Sequence, residues 1–361
     1  MAKVPPRRRA SSAPRAHTGP GADVDTELAS SRWKGEPAPT LSVDIPTHER
    51  PEFLTELIGS LESQDFPADD FEVIVVIDAT DGATLARMQE VVARTPLRLR
   101  AVQLREDRGP AVKRNVASSL ARAPLIAFTD DDCLPTEGWL RAITDAFGSG
   151  ADMVQGKVVP EPGGYAIAGP WDRSLWVLRA NWLFESCNIA FRRSSLESAG
   201  GFDVSLPDVT GATRPFGEDT ELGWRARGAG MQIAFSEEAL VHHRVHAGSY
   251  PEWLAELRRR VQFPDLVRRS PGMENALVAG VFLSPLTAQF DLAAVSSLAA
   301  LLTRKPWLLV GIIPWLNRRW RDARGRPGRP PQFRLAQLAV GDAVSLLSLV
   351  EGSARARRIV L

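Results

Sequence analysis

The chain has 361 residues, enough for one large domain with an appendage or for two domains. Its 44 Lys and Arg residues nearly balance its 43 Asp and Glu residues, which argues against a nucleic-acid-binding protein, although the basic residues concentrate at the two ends. The two cysteines, Cys133 and Cys187, are too few for a disulfide framework and lack metal-ligand spacing, so they indicate a reducing compartment.

The first expected region is a disordered basic tail, residues 1–38. Its first half is mostly Pro, Ala, Ser and Arg without apolar periodicity, and such a composition buries too little apolar surface to fold. Residues 1–32 also lack the apolar core of a secretory signal. We expect the tail to be solvated, with contact to anionic lipid as the alternative, and we expect order to begin near Thr40.

Short apolar runs alternate with helical patterns in the next part of the chain. Strands are predicted at residues 41–45, 71–77, 97–104 and 125–128, and helices at 51–63, 84–94 and 109–121. This alternation is typical of an α/β protein with a parallel sheet and helices on both faces. Ligands of such sheets bind at the carboxyl ends of the strands, so we expect Asp44, Thr47, Asp78 and Asp130–Asp132 to converge on one site.

Three consecutive carboxylates, Asp130–Asp132, follow the apolar run Leu125–Phe128. On an extended backbone alternate side chains share a face, so Asp130 and Asp132 would point together and Asp131 away. Two carboxylates on one face repel each other unless a cation lies between them, and Mg2+ and Mn2+ prefer oxygen ligands. The pattern predicts a metal site, with a solvated acidic loop as the alternative.

The common nucleotide-binding loops are missing from the sequence. No Gly-x-Gly-x-x-Gly follows the first predicted strand, and no Gly-Lys-Ser/Thr loop occurs. These absences argue against the usual hydride-transfer enzymes and P-loop hydrolases. Without a glycine loop, a metal ion held by carboxylates is the natural way to neutralise a diphosphate.

Six segments between Leu41 and His243 resemble, in order, the motifs of family 2 glycosyltransferases. They are SVDIPTHERPEFL, FEVIVVIDATDG, GPAVKRN, IAFTDDDCLP, NIAFRRSSLESAGGFD and GEDTELGWRARGAG. The resemblance implies an α/β GT-A fold, a Rossmann-like mixed sheet flanked by helices. It places a catalytic domain at residues 39–265, followed by a helical, membrane-associated region at residues 266–361.

The same resemblance implies a nucleotide-sugar site and a divalent metal, Mn2+ or Mg2+. The implied nucleotide-sugar-binding residues are Pro46, Thr47, Asp78, Lys113, Arg114, Asp130 and Asp131. Asp130 and Asp132 would be the metal-binding Asp-x-Asp, and His243 would complete the metal shell, with His246 as its competitor. Ile77 stands where the family usually has the first acid of an Asp-Asp pair, so the choice of nucleotide base stays open.

Catalysis is assigned to a second acidic element. Glu218 and Asp219 precede a predicted helix, where the dipole favours negative charge, but capping explains one acid more easily than two. The resemblance implies that Asp219, beside Glu218, is the general base of an inverting transfer, and that Asn188 and Trp182 face the acceptor. An isolated Asp has a pKa of about 3.9, so this role requires surroundings that raise its pKa.

The C-terminal part has a different character. A basic helix is predicted at residues 250–269 and an amphipathic helix at 332–349. Between them lie apolar stretches at 276–302 and 307–316, neither a clean span of about 20 apolar residues. Flanking aromatic and basic side chains suggest a helix hairpin in the interface of an anionic leaflet; they are Trp307, Trp315, Trp320, Arg304, Lys305, Arg318, Arg319 and Arg321. A packing subdomain or a dimer interface is the alternative.

These observations favour a metal-dependent inverting glycosyltransferase at the cytoplasmic face of the cell membrane. Its partners would be a nucleotide-sugar donor, a glycan or lipid-linked acceptor and the membrane surface, with no nucleic acid. Two other functions remain open: a metal-dependent nucleotidyltransferase, and a non-catalytic carbohydrate-binding or membrane scaffold protein. The sequence leaves the sugar, the acceptor and the oligomeric state undetermined.

Overall fold

The computed structural model describes residues 23–35, 37–164, 169–206, 216–325 and 330–361. The arginine-rich part of the predicted tail, residues 1–22, lies outside this part of the chain. One sheet of nine strands organises the described residues. The strands are Val24–Ala29 (β1), Leu41–Thr47 (β2), Phe71–Ile77 (β3), Arg98–Leu104 (β4), Leu125–Thr129 (β5), Cys133–Pro135 (β6), Met153–Pro160 (β7), Asn188–Arg192 (β8) and Ile233–His243 (β9).

The sheet is mixed, as the resemblance implies. Its strand order is β1-β4-β3-β2-β5-β8-β7-β9-β6. Strands β4, β3, β2 and β5 run parallel, whereas β8 is antiparallel to β5 and β7 runs parallel to β9. Every residue of β2, β3 and β5 is buried, which explains why β3 and β5 are mostly apolar without alternation.

Helices cover both faces of the sheet, so a separate apolar core lies on each side. The first core includes Leu54, Met88 and Trp139 from α1, α2 and α4. The second includes Val112 from α3 and Trp224 from α6. The helices are Pro51–Glu62 (α1), Gly82–Arg94 (α2), Gly109–Leu120 (α3), Trp139–Gly148 (α4), Arg193–Ala199 (α5), Glu218–Gly228 (α6), Tyr250–Arg258 (α7), Phe263–Arg269 (α8), Pro285–Thr303 (α9), Ile313–Arg324 (α10) and Pro331–Ala356 (α11).

The expectation that order begins near Thr40 is wrong. Strand β1 pairs antiparallel with β4 at the edge of the sheet, and Trp33 is buried with the Arg122 guanidinium 4.7 Å from its ring centroid. Burial alternates along β1, which is the pattern of a strand with one face against the protein. The alternation spans only six residues, next to a composition typical of disorder, so it was missed.

Helix α11 and the segment after it join the second core. Leu349 on α11 and Val360 after it are fully buried in that core. Gly341 lets α11 approach the Trp253 indole, where a Cβ atom would clash. The predicted basic helix 250–269 is divided into α7, a 3-10 turn at Arg259–Gln262 and α8. The proposed boundary at residue 266 therefore separates residues that share one core.

Two C-terminal helices are long and apolar enough to cross a membrane by length and composition. They are α9, with a mean hydropathy of 1.4, and α11, with 1.5. Of the 18-residue apolar stretch in each helix, 22% is buried in α9 and 39% is buried in α11. The largest exposed apolar side chains of this region include Leu301, Leu302 and Trp307, which are 76%, 74% and 66% exposed. An apolar surface therefore lies on α9 and on the 3-10 turn that follows it, Pro306–Ile312.

Candidate active site

Two adjoining cavities open where β2, β3 and β5 end, as the parallel topology predicts. The first has a volume of about 250 Å3, and we call it the donor cavity. The second, of about 370 Å3, is called the acceptor cavity. Both are lined by Pro110, Arg114 and Asp130, so they form one continuous site. The donor cavity is lined by all of the predicted nucleotide-sugar and metal residues: Pro46, Thr47, Asp78, Lys113, Arg114, Asp130, Asp131, Asp132 and His243.

Asp44 does not join this site, which corrects the expected convergence. Its side chain is completely buried, and its Oδ2 accepts a hydrogen bond of 3.0 Å from the Ser118 hydroxyl on α3. Burial raises the pKa of Asp44 well above its ordinary value. Asp44 lies three residues before the end of β2, inside the sheet, whereas Thr47 is the last residue of the strand.

The nucleotide end of the donor cavity is organised around Asp78. Its Oδ2 accepts a hydrogen bond of 2.7 Å from the Lys113 Nζ, and Lys113 also donates to the backbone oxygen of Thr47. The His48 Nδ1 lies 2.5 Å from the same carboxylate. Asp107 completes a cluster with His48 and Asp78. Neither His48, which lies inside the first quoted motif, nor Asp107, which lies just before the third, was predicted from the sequence.

The three consecutive carboxylates do not lie on an extended strand. β5 ends at Thr129, and the Cys133 amide donates to the Asp130 backbone oxygen at 3.1 Å, which closes a turn. The alternation argument for a shared Asp130 and Asp132 face is therefore wrong. Asp131, predicted to point away, also lines the donor cavity and accepts hydrogen bonds from the Thr47 hydroxyl and the His48 amide.

Asp132 is the most strongly paired carboxylate of the turn. Its Oδ2 accepts from the Arg50 Nη1 at 2.6 Å and from the His246 Nε2 at 2.8 Å. Its Oδ1 lies 3.6 Å from the His243 Nε2. Burial opposes ionisation, but the hydrogen bond from His246 and the nearby His243 and Arg50 hold the pKa of Asp132 well below its ordinary value. Both candidate histidines therefore contact the same acid.

A divalent metal fits the residues around Asp132. Its carboxylate, the Cys133 thiol and the His243 imidazole each place one potential ligand atom within 4.8 Å of the others. Asp130 belongs to neither group of three such residues among the described parts of the chain. Its Oδ1 instead accepts a hydrogen bond of 2.7 Å from the Arg114 Nη2. The predicted Asp130 and Asp132 pair is thus divided between two sets of partners.

Arg114 connects the two cavities. It is 4% exposed, and its second terminal nitrogen donates to the Glu218 Oε1 at 3.1 Å. A buried guanidinium can hold two carboxylates in fixed positions because its donors form a rigid planar fork. Arg114 therefore links Asp130 at the donor cavity with Glu218 at the start of α6.

Asp219 lies beside this pair and lines the acceptor cavity. Its oxygens accept from the Thr220 amide at 2.7 Å and from the Ser186 amide at 3.2 Å. Burial, reinforced by the negative charge of Glu218, raises the pKa of Asp219 to about 7, although Arg114 and the two amides oppose the rise. A general-base Asp requires a pKa that is raised in this way.

Asn188 does not face an acceptor, contrary to expectation. It is 1% exposed, and its side-chain oxygen accepts from the Trp139 indole at 2.9 Å. Its side-chain nitrogen donates to the backbone oxygens of Lys157 and Ala239 at 2.9 and 2.8 Å. Asn188 therefore links β7, β9 and α4, and this use of its whole amide excludes it from the cavity.

Trp182 does not line either cavity. Its ring centroid lies 6.1 Å from that of Phe263, and its backbone oxygen accepts from the Trp224 indole. Phe263, Phe216 and the other lining residues form the cavity wall. The half-buried Trp182 therefore supports the wall from behind, contrary to the expectation that it faces the acceptor.

Comparison with known proteins is consistent with this geometry. Residues 42–196 match the model of the family described as glycosyl transferase family 2. A mannosyltransferase from Pyrobaculum calidifontis, solved in complex with GDP-Man and Mn2+, superposes with a TM-score of 0.56 at 20% identity, covering 89% of this chain and 91% of the other. Residues 42–196 are therefore a region of glycosyl transferase family 2, and the chain has a GT-A fold.

Its curated relatives are distant and are matched only in part. Validoxylamine A glucosyltransferase of Streptomyces hygroscopicus subsp. jinggangensis is 28% identical over 62% of this chain and 61% of its own length. Glycosyltransferase AglE of Haloferax volcanii is 26% identical over 57% of this chain and 67% of its own length. The poly(ribitol-phosphate) beta-N-acetylglucosaminyltransferase TarS of Staphylococcus aureus is 39% identical over 25% of this chain and 16% of its own length.

Proposed function

We propose that the protein transfers a sugar from a nucleoside-diphosphate donor to a hydroxyl of a lipid-linked or polysaccharide acceptor, with inversion and with a divalent metal. The observation that carries the proposal is Asp219, a carboxylate with a pKa near 7 that lines the cavity next to the donor cavity. A base with a pKa near the working pH is ionised in about half of the molecules and is a stronger proton acceptor than an ordinary carboxylate.

The donor cavity supplies charges suited to a nucleotide sugar. Asp78 offers a carboxylate to the base or the ribose, while Lys113 and Arg114 bring positive charge to the diphosphate side. Asp132 and His243 would hold the divalent ion, which would act as a Lewis acid on the diphosphate. The glucosyltransferase and N-acetylglucosaminyltransferase relatives and the GDP-Man complex of the structural neighbour make nucleotide-activated glucose, GlcNAc and mannose the first three donors to test.

Asp219 performs the proton transfer in this proposal. The acceptor hydroxyl loses its proton to the Asp219 carboxylate while its oxygen attacks the anomeric carbon. The bond from that carbon to the diphosphate breaks, and the electron pair leaves with the diphosphate. Amide donors from Ser186 and Thr220 orient the carboxylate, so that attack comes from the acceptor cavity and inverts the configuration.

Product analysis separates this function from the alternatives. The purified full-length chain is incubated with the three donors, Mn2+ or Mg2+, and extracts containing lipid-linked or polysaccharide acceptors. We expect acceptor-dependent release of nucleoside diphosphate. Pyrophosphate release from a nucleoside triphosphate and a sugar phosphate would identify a nucleotidyltransferase, and donor binding without any turnover would favour a scaffold protein.

We also propose that the exposed apolar surface of α9 and its following turn contacts the cytoplasmic face of a membrane. Leu301, Leu302 and Trp307 are mostly exposed, and the basic residues Arg304 and Lys305 lie between them in sequence. Apolar area next to cationic side chains favours an anionic lipid interface. Burial of apolar area contributes about 25 cal/mol per Å2 and is not screened by salt.

Two of the side chains predicted to face the membrane, Trp315 and Arg319, pack against α11 instead. The Trp315 indole donates to Asp342 on α11 at 2.8 Å, and the Arg319 guanidinium pairs with the same carboxylate. These contacts hold α10 against α11, so Trp315 and Arg319 belong to the helix packing. The surface available for lipid therefore centres on the end of α9 and on Trp307.

Substitution tests the membrane contact better than truncation, because α11 contributes Leu349 to the core of the catalytic part. Full-length protein should stay with vesicles containing anionic lipid at high salt. The double variant Leu301→Glu/Leu302→Glu should be released, whereas the matched variant Trp176→Glu/Leu178→Glu, on an exposed loop of the catalytic part, should stay bound. Equal retention of both variants would show that α9 does not provide the contact.

A further inference from the structure

A third cavity adjoins the acceptor cavity. Its volume is about 200 Å3, and we call it the α11 cavity because residues near the end of α11 form part of its lining. Phe216 lines both cavities, so one aromatic ring belongs to the wall between them. Gly352 lets α11 approach the 3-10 turn Arg259–Gln262, where a Cβ atom would clash with the Val261 backbone oxygen. The C-terminal helix therefore completes a cavity next to the proposed acceptor site.

The α11 cavity is mostly apolar. Its charged side chains are paired, because Arg269 donates to Asp265 at 2.6 Å and Arg355 forms an ion pair with Glu351. The apolar lining consists of Leu206, Phe216, Val261, Leu266 and Ala356. A methylene group is close in size to a water molecule, which takes about 30 Å3, so the cavity has room for about six or seven such groups. A short apolar chain therefore fits it.

Two side chains of the 3-10 turn lie where the acceptor cavity and the α11 cavity meet. Residues i and i+3 of a 3-10 helix lie on the same side, and Arg259 and Gln262 have this spacing. Arg259 lines the acceptor cavity, with its guanidinium 4.9 Å from the Phe216 ring centroid. Glu256 accepts from the Arg259 Nη1 at 3.0 Å and so helps to position the guanidinium. Gln262 lines the α11 cavity.

The amide of Gln262 indicates that this junction binds a ligand. Gln262 is only 6% exposed, and within the described parts of the chain its Nε2 has no hydrogen-bond partner. Native proteins seldom leave a buried amide N–H unpaired, because its desolvation is then uncompensated. A phosphate oxygen would accept from this amide, and a guanidinium binds phosphate through parallel hydrogen bonds. Arg259 and Gln262 together therefore suit a phosphate group.

We propose that the acceptor is a lipid-linked glycosyl phosphate, with the start of its apolar chain in the α11 cavity and its phosphate between Arg259 and Gln262. Its sugar then lies in the acceptor cavity, where a hydroxyl reaches Asp219. The order of chain, phosphate and sugar in such a molecule matches the order of apolar wall, cationic junction and general base. The role as acceptor rests on the proposed function, whereas the binding of a lipid phosphate does not.

Three small probes separate the contributions of chain and charge. Full-length protein is titrated by calorimetry, without donor, with hexyl phosphate, methyl phosphate and hexanol. We expect hexyl phosphate to bind at least about 10-fold more tightly than either of the others, because only hexyl phosphate combines an apolar chain with a phosphate. Equal affinities for hexyl phosphate and methyl phosphate would overturn the proposal and leave a site for free phosphate groups.

Filling the α11 cavity tests where the chain binds. Ala356→Leu should weaken hexyl phosphate binding at least about 10-fold and leave methyl phosphate binding unchanged, since the added side chain takes the space of the alkyl chain. Ala354→Leu, at an exposed position two residues earlier on α11, should bind both probes like the wild type. Unchanged hexyl phosphate binding by Ala356→Leu would mean that the probe occupies the donor cavity or the α9 surface, which contradicts the proposal.

Arg259 tests where the phosphate binds. Arg259→Gln should weaken hexyl phosphate binding at least about 10-fold and leave hexanol binding unchanged, because only the phosphate pairs with the guanidinium. Arg258→Gln removes the same charge at the exposed neighbouring position and should match the wild type. An equal loss in both variants would show that the probe senses only the overall charge of this surface, and the phosphate site would be wrong.

Photolabelling of the wild type covers the case in which Ala356→Leu does not fold. An alkyl phosphate with a diazirine on its chain is activated by light, and the labelled peptides are identified by mass spectrometry. Label in residues 261–269 or 352–356 supports the proposal, and label found only in other segments contradicts it.

Binding of the probe and transfer of sugar can fail separately. A protein that binds hexyl phosphate in the α11 cavity but turns over no nucleotide sugar has the lipid phosphate site and lacks the proposed function. A protein that transfers sugar to a polysaccharide and does not distinguish hexyl phosphate from methyl phosphate has the function, and the lipid phosphate site is then wrong.

Discussion

The donor and acceptor cavities contain the same residue type in opposite electrostatic states. Asp132 is buried among Arg50, His243 and His246, and its pKa lies below the ordinary value for Asp. Asp219 is half-buried beside the like charge of Glu218, and its pKa rises to about 7. Burial raises the pKa of both, so the partners decide the outcome. A paired carboxylate is suited to bind cations, and a poorly compensated one is suited to accept a proton.

Arg114 maintains this difference. The guanidinium donates to Asp130 on one side and to Glu218 on the other, and it makes no direct hydrogen bond to Asp219. Its charge lowers the pKa of Asp219, but less than burial and Glu218 raise it. The different chemistry of the two cavities therefore depends on which carboxylates accept hydrogen bonds from the buried Arg114 guanidinium.

The largest expected effect is on proton transfer. Asp219→Asn keeps the shape of the side chain and removes its basicity, so transfer to the acceptor should fall by about 10²–10⁴-fold while donor affinity stays the same. Transfer rates and nucleotide-sugar binding are measured on the same protein. Asp145→Asn, an exposed position on α4, should match the wild type in both. Near wild-type transfer by Asp219→Asn would shift the role of base to Glu218.

The donor side should respond through metal-dependent binding. Asp132→Asn and His243→Ala should each weaken the Mn2+-dependent part of nucleotide-sugar affinity by about 10–100-fold, because each removes a ligand or its partner. Binding is measured by calorimetry with and without Mn2+, and circular dichroism checks the fold. Equal metal enhancement in the variants and the wild type would remove both residues from the metal site.

The pH dependence should report the environment of Asp219. Below pH 7 the base becomes protonated, so the transfer rate should fall about tenfold per pH unit as the pH is lowered further. Arg114→Gln removes a cation that lowers the pKa of Asp219, so it should move this acidic limb to higher pH. An acidic limb near pH 4 in the wild type would contradict the raised pKa.

The smallest expected effect is on stability, with opposite signs at the two carboxylates. Between the unfolded pKa of about 3.9 and the folded value of about 7, the folded state holds a proton on Asp219 that the unfolded state lacks. Stability from this group therefore falls as pH rises, and Asp219→Asn should gain about 1 kcal/mol or more relative to wild type between pH 5 and pH 8.

Asp132 should behave in the reverse way. Its folded pKa is depressed, so it stabilises the protein above its unfolded pKa and loses this contribution as pH falls through the folded pKa. Asp132→Asn should therefore be less stable than wild type at pH 7. Denaturant titrations of both variants at several pH values test the signs, and variants that shift in the same direction would contradict the contrast between the cavities.

The sequence predicted the features that depend on local pattern. The mostly apolar sequences of β3 and β5, and the alternation of strands with helices, indicated the parallel core, and the family resemblance pointed to Asp78, Asp132, His243 and Asp219. Features set by tertiary contacts were not predictable. The turn at Asp130 changes which carboxylates share a face. The side-chain nitrogen of Asn188 donates both of its hydrogens to backbone oxygens of two other strands.

The electrostatic contrast itself lies beyond sequence reasoning. Glu218 and Asp219 are adjacent in the chain, yet Arg114, more than 100 residues away, bonds to only the first of them. The partners of Asp132 also come from distant segments, Arg50 before it and His246 after it. Motif spacing identified these acids, but only the assembled fold shows which of them is left with a raised pKa.

Direct titration of the two carboxylates tests the central claim. Protein with 13C-labelled Asp side chains is titrated by NMR from pH 4 to pH 9, and the resonances are assigned by comparison with Asp219→Asn and Asp132→Asn. We predict that the Asp219 carboxyl titrates near pH 7 while Asp132 remains ionised throughout. An Asp219 midpoint near the ordinary value of about 4 would contradict the proposed general base and the contrast between the two cavities.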